Sequence, residues 1–350
     1  MMSRRDIVVI GASAGGVNAL LTLVKALPPG FPAAVLIVLH IGSHRSMLPA
    51  LLTSRGSHRA IHPQDGERLA PGTIYVAPPA HHMLIDADGE GDVVRLTRGA
   101  KEHHARPAID PLFRSAALAC GPRVIGVILT GRQDDGTAGL QAVKACGGIT
   151  VVQDPADAEE PGMPTSALRH VQVDHCVPLR LLGDVLARIA GQPIEPVPDT
   201  PPTWLAEEHA VATAGADPVQ QLNAIGRPST FSCPECNGVL WEIENSKPVR
   251  YRCHTGHAFS ITTLEATQLT ATEDALWGAI RALQEREALL RRLAAESREG
   301  GDAVQAQAQA KAHEAAAERM LKQVLLLVRI VLEGQAHDRA HELSEQPSPG

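Results

Sequence analysis

Ile7-Val-Val-Ile-Gly-Ala-Ser-Ala-Gly-Gly16 decides the fold of this chain. Four β-branched residues run into a glycine-rich turn, which predicts a strand that stops abruptly, and the pattern from Val17 to Ala26 predicts a helix after it. Working outward, Ala34 to Leu39, Ile74 to Ala77, Val124 to Leu129 and Ile149 to Val152 repeat the short apolar run, and Thr137 to Ala145 repeats the helix. Continuous apolar strands separated by helices are buried on both faces. Residues 1–192 are therefore expected to form an α/β domain, a doubly wound, mainly parallel sheet with helices on both faces.

The turn after the first strand admits two chemistries. A dinucleotide cradle needs G-x-G-x-x-G; Gly11 and Gly16 fit, but Ser13 takes the middle position, where bare backbone should approach a pyrophosphate. The second strand should then end in an acid for the ribose, and it ends in His40. The same residues satisfy G-x-S-x-G, which lifts a serine onto a sharp strand-to-helix turn above the sheet. Alone that motif is weak, because a serine capping a helix looks the same. His40 at the end of an adjacent strand, and Asp134-Asp135 in the turn after Leu129, would emerge at the same carboxyl edge and supply a base and an orienting acid. The order Ser, His, Asp differs from the Ser, Asp, His order of α/β-hydrolases, which disfavours that fold.

Composition narrows the field. In 350 residues the formal net charge is -7 and no long basic stripe occurs, which argues against a nucleic-acid partner. Apolar runs such as Ile7 to Ile10 and Val324 to Leu332 are too short for a signal peptide or a membrane span, so a cytoplasmic protein without membrane insertion is expected. Cys120, Cys146 and Cys176 are scattered through apolar sequence as ordinary buried thiols.

The chain resembles the catalytic domain of the CheB family, chemotaxis protein-glutamate methylesterases that also deamidate glutamine. Over residues 5 to 190 the motifs recur in order: Ile10 to Gly16, Leu39-His40, Tyr75 to Pro79 followed by His82 to Leu84, Arg106-Pro107 with Asp110, Leu112 to Ala116, Leu129 to Gly131 with Asp135-Gly136, and Gly162 to Pro164. The resemblance implies Ser13 as nucleophile, His40 as base, Asp135 rather than Asp134 as the acid, and an oxyanion hole from the backbone N–H groups of Ala14 and Arg132. It implies no catalytic cofactor and, as partner, the methylated cytoplasmic helices of a chemoreceptor-like protein. Two departures concern the substrate rim: Arg132-Gln133 where the family has Met-Gly, and His40-Ile41-Gly42 where it has His-Met-Pro. Arg106 and Arg114 are candidates either for acidic residues of a receptor or for internal salt bridges. His81-His82 and His103-His104 lack partners at metal-ligand spacing and are expected in surface loops. Family members usually carry an N-terminal receiver domain; here the first strand begins after six residues, and residues 196–350 lack βα alternation, so none is expected.

The remainder divides by composition. Residues 193–229 begin Pro-rich and are expected to be a linker, leaving the catalytic domain separable. Residues 230–260 carry Cys233-Pro-Glu-Cys236 and, sixteen residues on, Cys253-His-Thr-Gly-His257. Two close pairs of soft ligands predict a zinc-ribbon-like unit with a structural zinc on Cys233, Cys236, Cys253 and His257, His254 being the weaker candidate for the fourth place. Residues 261–340 predict a helical hairpin: Thr262 with Glu265 as a capping box, a stripe of Leu269, Leu276, Ile280, Leu283, Leu290 and Leu293, a break at Gly300-Gly301, and a second helix from Asp302 to Leu332. Those stripes pack on each other, on a second copy, or on a partner's helices. Besides the esterase, a scaffold that keeps the fold and acts through its zinc and helical modules, and a nucleotide-binding protein, are the competing classes; the set of Ser13, His40 and Asp135 favours the esterase.

Overall fold

The computed structural model describes residues 4–40, 46–194, 201–213, 217–298 and 303–344. It comprises two units, Met1–Glu265 and Ala266–Gly350. Along the first unit run strands β1 (Ile7–Ala12), β2 (Ala34–Leu39), β3 (Arg59–Ile61), β4 (Thr73–Val76), β5 (His82–Ala87), β6 (Asp92–Thr97), β7 (Val124–Ile128), β8 (Ile149–Gln153) and β9 (His175–Val177). Between them lie helices α1 (Gly16–Ala26), α2 (Leu48–Arg55), α3 (Ile109–Cys120), α4 (Thr137–Ala145) and α5 (Gly162–His170), with α6 (Leu179–Ile189) after β9.

Seven strands form one sheet in the order β3-β4-β2-β1-β7-β8-β9, every neighbouring pair parallel, and β5 pairs with β6 as a separate antiparallel hairpin. The pleat of β1 explains why the sequence has no polar alternation there. Val8 and Ile10 join a core with Leu20 and Leu23 of α1 and Leu182 and Leu186 of α6, whereas Ile7 and Val9 join one with Leu112 and Phe113 of α3 and Leu140 of α4. Because β1 has β2 on one side and β7 on the other, the strand order reverses across it. The loops leaving these three strands share one carboxyl edge, the place where open α/β sheets build their sites.

The linker expectation fails over residues 203–229. Here the chain forms α7 (Thr203–Ala212), α8 (Pro218–Ile225) and β10 (Gly226–Ser232); residues 195–200 and 214–216 lie outside the described set. Pro202 caps α7 and Pro218 occupies the first turn of α8, with Asp217 Oδ1 accepting from Gln220 N–H at 3.1 Å. Proline at a helix start costs no hydrogen bond, so these prolines begin helices instead of breaking them. Leu205 of α7 enters the main core, and Val211, Leu222 and Ile225 pack with Trp241 and Ile243. An antiparallel sheet follows, β10-β11-β12-β13, with β11 (Val239–Ile243), β12 (Arg250–Cys253) and β13 (Ala258–Ser260).

That sheet is joined to the α/β domain by backbone and side-chain contacts. Glu102 forms a parallel bridge with Ala258, His103 N–H donates to Ala258 O at 2.8 Å, and Ala258 N–H donates to Lys101 O at 3.3 Å. Beneath the joint, Glu102 and Arg114 of the α/β domain meet Glu208 of α7 and Arg250 and Arg252 of β12, all buried. Glu102 accepts from Arg114 at 2.6 Å and Arg252 at 3.0 Å, while Glu208 accepts from Arg250 at 2.6 Å and Arg252 at 3.0 Å. Arg114 is thus spent on an internal network, and Arg106 donates to the carbonyls of Arg98 and Gly99.

Two long helices complete the chain, α9 (Ile261–Arg298) and α10 (Ala303–Ser344). The cap of α9 differs from the expected Thr262–Glu265 box. Thr263 N–H donates to Ser260 Oγ at 3.1 Å and Ser260 N–H donates back to Thr263 Oγ1 at 2.8 Å, so the reciprocal pair lies two residues earlier. In the second unit Ile280 and Val324 are buried against each other among Leu276, Leu283, Leu327 and Val328. Leu269 and Leu293, expected in that stripe, are exposed. Gly300, Gly301 and Asp302 lie outside the described residues.

Candidate active site and cysteine cluster

Ser13 follows β1 directly. Its N–H donates to Thr130 O at 3.0 Å, its carbonyl accepts from Gly16 N–H at 2.9 Å, and Gly15 turns the chain at φ 75° before α1. A Cβ at Gly131 would lie 2.8 Å from Ser13 Cβ and 2.1 Å from Met163 Sδ, so only glycine lets the loop after β7 approach the serine.

His40 follows β2, its N–H donating to Ala12 O at 3.2 Å. Nδ1 stands 3.2 Å from Ser13 Oγ and Nε2 stands 2.7 Å from Asp135 Oδ2. With Nε2–H donated to the carboxylate, Nδ1 is left as the acceptor for the serine hydroxyl. Asp135 is fixed from behind, since Oδ2 accepts from Ile109 N–H at 2.8 Å and Oδ1 from Asp110 N–H at 3.0 Å at the start of α3. Burial alone would favour its neutral form; the nearby His103, the His40 bond and the Ile109 N–H overcome that and bring its pKa down to about 2. Asp134 points elsewhere and accepts from Ser260 Oγ at 2.8 Å.

Of the two residues expected to supply oxyanion donors, Ala14 has its carbonyl held by Thr130 Oγ1 at 3.0 Å. Arg132 lies on the loop whose neighbour Gly131 donates to Glu160 O at 2.9 Å, and its exposed guanidinium pairs with Glu160 at 2.8 Å. Ile41 and Gly42, expected on the substrate rim, lie outside the described residues.

The histidines expected in surface loops are not all there. His82 is buried, with Nε2 2.9 Å from Ala100 O and Nδ1 accepting from Ala108 N–H at 3.2 Å. His103 is buried beside the acid, with Nε2 2.8 Å from Asp110 Oδ2 and 3.7 Å from Asp135 Oδ1. Its partners are remote in sequence or on another element, so local spacing carried no sign of them. Cys120 is buried as expected, but Cys146 is only partly buried and Cys176 is exposed.

In the antiparallel sheet, one donor atom from each of Cys233, Cys236, Cys253 and His257 lies within 4.8 Å of the others. Two tight turns form the group, Asn237 N–H to Cys233 O at 2.7 Å and Gly256 N–H to Cys253 O at 2.9 Å. Cys236 Sγ and Cys253 Sγ are 3.7 Å apart. Tetrahedral zinc with Zn–S bonds of about 2.3 Å requires a separation of roughly 3.8 Å, so the donor set fits that ion. His257 enters through Nδ1, 3.5 Å from Cys253 Sγ, whereas His254 is exposed and outside the group.

Comparison with known proteins bears on the α/β domain. The family model for CheB methylesterase matches residues 8–186. A protein-glutamate methylesterase/protein-glutamine glutaminase of Anaeromyxobacter dehalogenans is 39% identical over 195 residues, 53% of this chain and 52% of that one. A Leptospira interrogans protein whose name carries the same two activities is 36% identical over 191 residues, 54% of this chain and 97% of that one. The crystal structure of the Thermotoga maritima CheB methylesterase catalytic domain superposes with a TM-score of 0.52 at 31% identity, covering 54% of this chain and all of that one. The chain spans about half the length of the first of these relatives and nearly all of the second. With the family model matched over residues 8–186, about half of the chain, the chain belongs to the CheB methylesterase family.

Proposed function

We propose that the chain is a protein-glutamate methylesterase, acting on methylated chemoreceptor-like proteins of the cytoplasm and able to deamidate glutamine by the same chemistry. The observation that carries this is the hydrogen-bonded chain from Ser13 through His40 to Asp135 at the carboxyl edge of a CheB-type sheet. Ser13 Oγ attacks the side-chain carbonyl carbon of the methylated glutamate while His40 Nδ1 takes its proton. The tetrahedral oxyanion accepts N–H bonds from the Ala14 and Arg132 backbone, each worth on the order of 3 kcal/mol. Collapse breaks the C–O bond to the methoxy group, which leaves as methanol with the proton from His40. Water then attacks the acyl-serine, His40 taking its proton and returning it to Ser13 Oγ, and the free carboxylate departs. An amide substrate follows the same course with ammonia as leaving group.

Cys233, Cys236, Cys253 and His257 would hold a zinc whose ligands all come from the chain, so its role is to fix the small sheet rather than to bind substrate. The exposed leucines of α9 and α10 offer a surface for self-association. The deciding experiment is a fluorophosphonate probe read by mass spectrometry, with methanol release from methylated receptor as second assay. Labelling at Ser13, lost in Ser13→Ala together with methanol release, is expected; an unlabelled wild type, or cleavage by Ser13→Ala, overturns the assignment.

A further inference from the structure

We propose, on the esterase reading above, that His103 is a positioning residue for Asp135, and that the cysteine-bearing sheet holds it there, so the appended unit forms part of the acid end of the triad. Glu102, His103, His104 and Ala105 make a turn closed by Ala105 N–H to Glu102 O at 2.9 Å. Both central residues are left-handed, with φ 50° at His103 and 57° at His104, a conformation that non-glycine residues keep only when their surroundings impose it. Those surroundings are the bonds to Ala258 of β13.

The turn delivers the His103 ring into a cluster of three buried carboxylates, Asp110, Asp134 and Asp135. Nε2 donates to Asp110, and Nδ1 lies 3.3 Å from Thr263 Oγ1 and 3.8 Å from Asp134 Oδ1. Arg250 of β12 also acts on Asp110, and His40 faces Asp135 from the solvent side. Three buried carboxylates cannot all stay ionised without cations among them. Burial works against a charge on His103, but Asp135, Asp110 and Asp134 outweigh it and raise its pKa to about 10. A metal shared by His103, Asp110 and Asp135 is the competing arrangement, but N–H donors already reach both oxygens of Asp135 and of Asp110. Ser260 and Thr263, at the junction of β13 and α9, bond Asp134 and His103 respectively, so the appended unit holds the Nδ1 side of the ring.

The test uses the full chain. His103→Asn suits the left-handed backbone and His103→Gln reaches Asp110; both are neutral. Thr263→Val leaves the turn intact and removes the contact from α9 to His103, together with the hydroxyl half of the Ser260–Thr263 cap. Two readouts are taken: kcat and KM against pH on p-nitrophenyl acetate, and the carboxyl carbon-13 titration of Asp135, assigned with Asp135→Asn. Loss of the charge lets Asp135 accept a proton more readily. The acid limb of kcat/KM and the Asp135 titration should both move to higher pH by about one unit in the His103 variants, and less in Thr263→Val. The kcat at neutral pH should fall several-fold with KM unchanged. An unchanged Asp135 titration in a folded His103 variant overturns the proposal; should both His103 variants fail to fold, an unchanged titration in Thr263→Val does so. If wild type neither cleaves ester nor labels at Ser13, the esterase reading falls, and the carboxyl titration still decides what His103 does.

Discussion

Replacing Glu208 by glutamine tests whether the α/β domain and the appended sheet are one energetic body. Glu208 is buried and accepts from both Arg250 amino groups and from Arg252, with Arg114 3.6 Å away. Glutamine leaves three buried guanidinium groups sharing the single carboxylate of Glu102. The size of the loss follows from linkage. Burial disfavours the Glu208 carboxylate, yet Arg250, Arg252 and Arg114 bring its pKa from 4.5 to about 2. Roughly 2.5 pH units at 1.36 kcal/mol each give about 3 kcal/mol, within the range of about 3–5 kcal/mol for breaking a buried pair. A lowered carboxylate pKa contributes stability that is complete above 4.5 and lost as pH falls through about 2. The gap between wild type and Glu208→Gln should therefore be widest at neutral pH and close over that acid window. Urea unfolding at neutral pH, followed by tryptophan fluorescence and by residual esterase activity, should show both midpoints falling together by about 1 M or more. If the activity midpoint stays in place while the fluorescence midpoint falls, the α/β domain does not depend on this network and the reasoning is refuted.

Asp135→Asn should reduce kcat on a small ester by about a hundredfold or more while leaving Ser13 accessible to a fluorophosphonate, because the base loses its counter-charge. Gly131→Ala places a methyl group within 2.8 Å of Ser13 Cβ; activity should drop at least tenfold, and calorimetry should show a loss of about 1–3 kcal/mol. Purified full-length protein should carry one zinc per chain by elemental analysis, and chelation or Cys253→Ser should lower ester hydrolysis as well as unfold the small sheet, since Arg252 and Ala258 sit beside the cluster. In alkali, His103 contributes stability that is complete below 6.5 and lost as pH rises through about 10, so the melting temperature of His103→Asn should approach that of wild type over that interval.

The catalytic edge was legible because its chemistry is local to three strand ends. Ile7 to Ile10 announces a two-faced strand, and Ser13, His40 and Asp135 each stand directly after an apolar run or in the turn that follows one. Choosing between Asp134 and Asp135 needed resemblance or structure, since adjacent residues in a turn differ only in where they point. The error over 203–229 came from composition: proline was weighed as a breaker, when Pro202 and Pro218 stand at helix starts. His103 was opaque for another reason. Its partner Thr263 lies 160 positions away, across a sheet-to-domain joint that no local period encodes.

The strand pairing between Lys101–His103 and β13 bears on how such an appendage can be inherited. The last edge of the small sheet is closed by backbone lent from the enzyme, through a turn that needs two consecutive left-handed residues. Grafted onto a relative lacking that turn, the sheet would present a bare row of N–H and C=O groups, and an uncovered edge is a template for pairing with a stranger. Exchange by recombination is therefore viable only when the donor fragment brings both halves of the seam. A crossover in the proline-rich stretch, where sequence alone would cut, separates them.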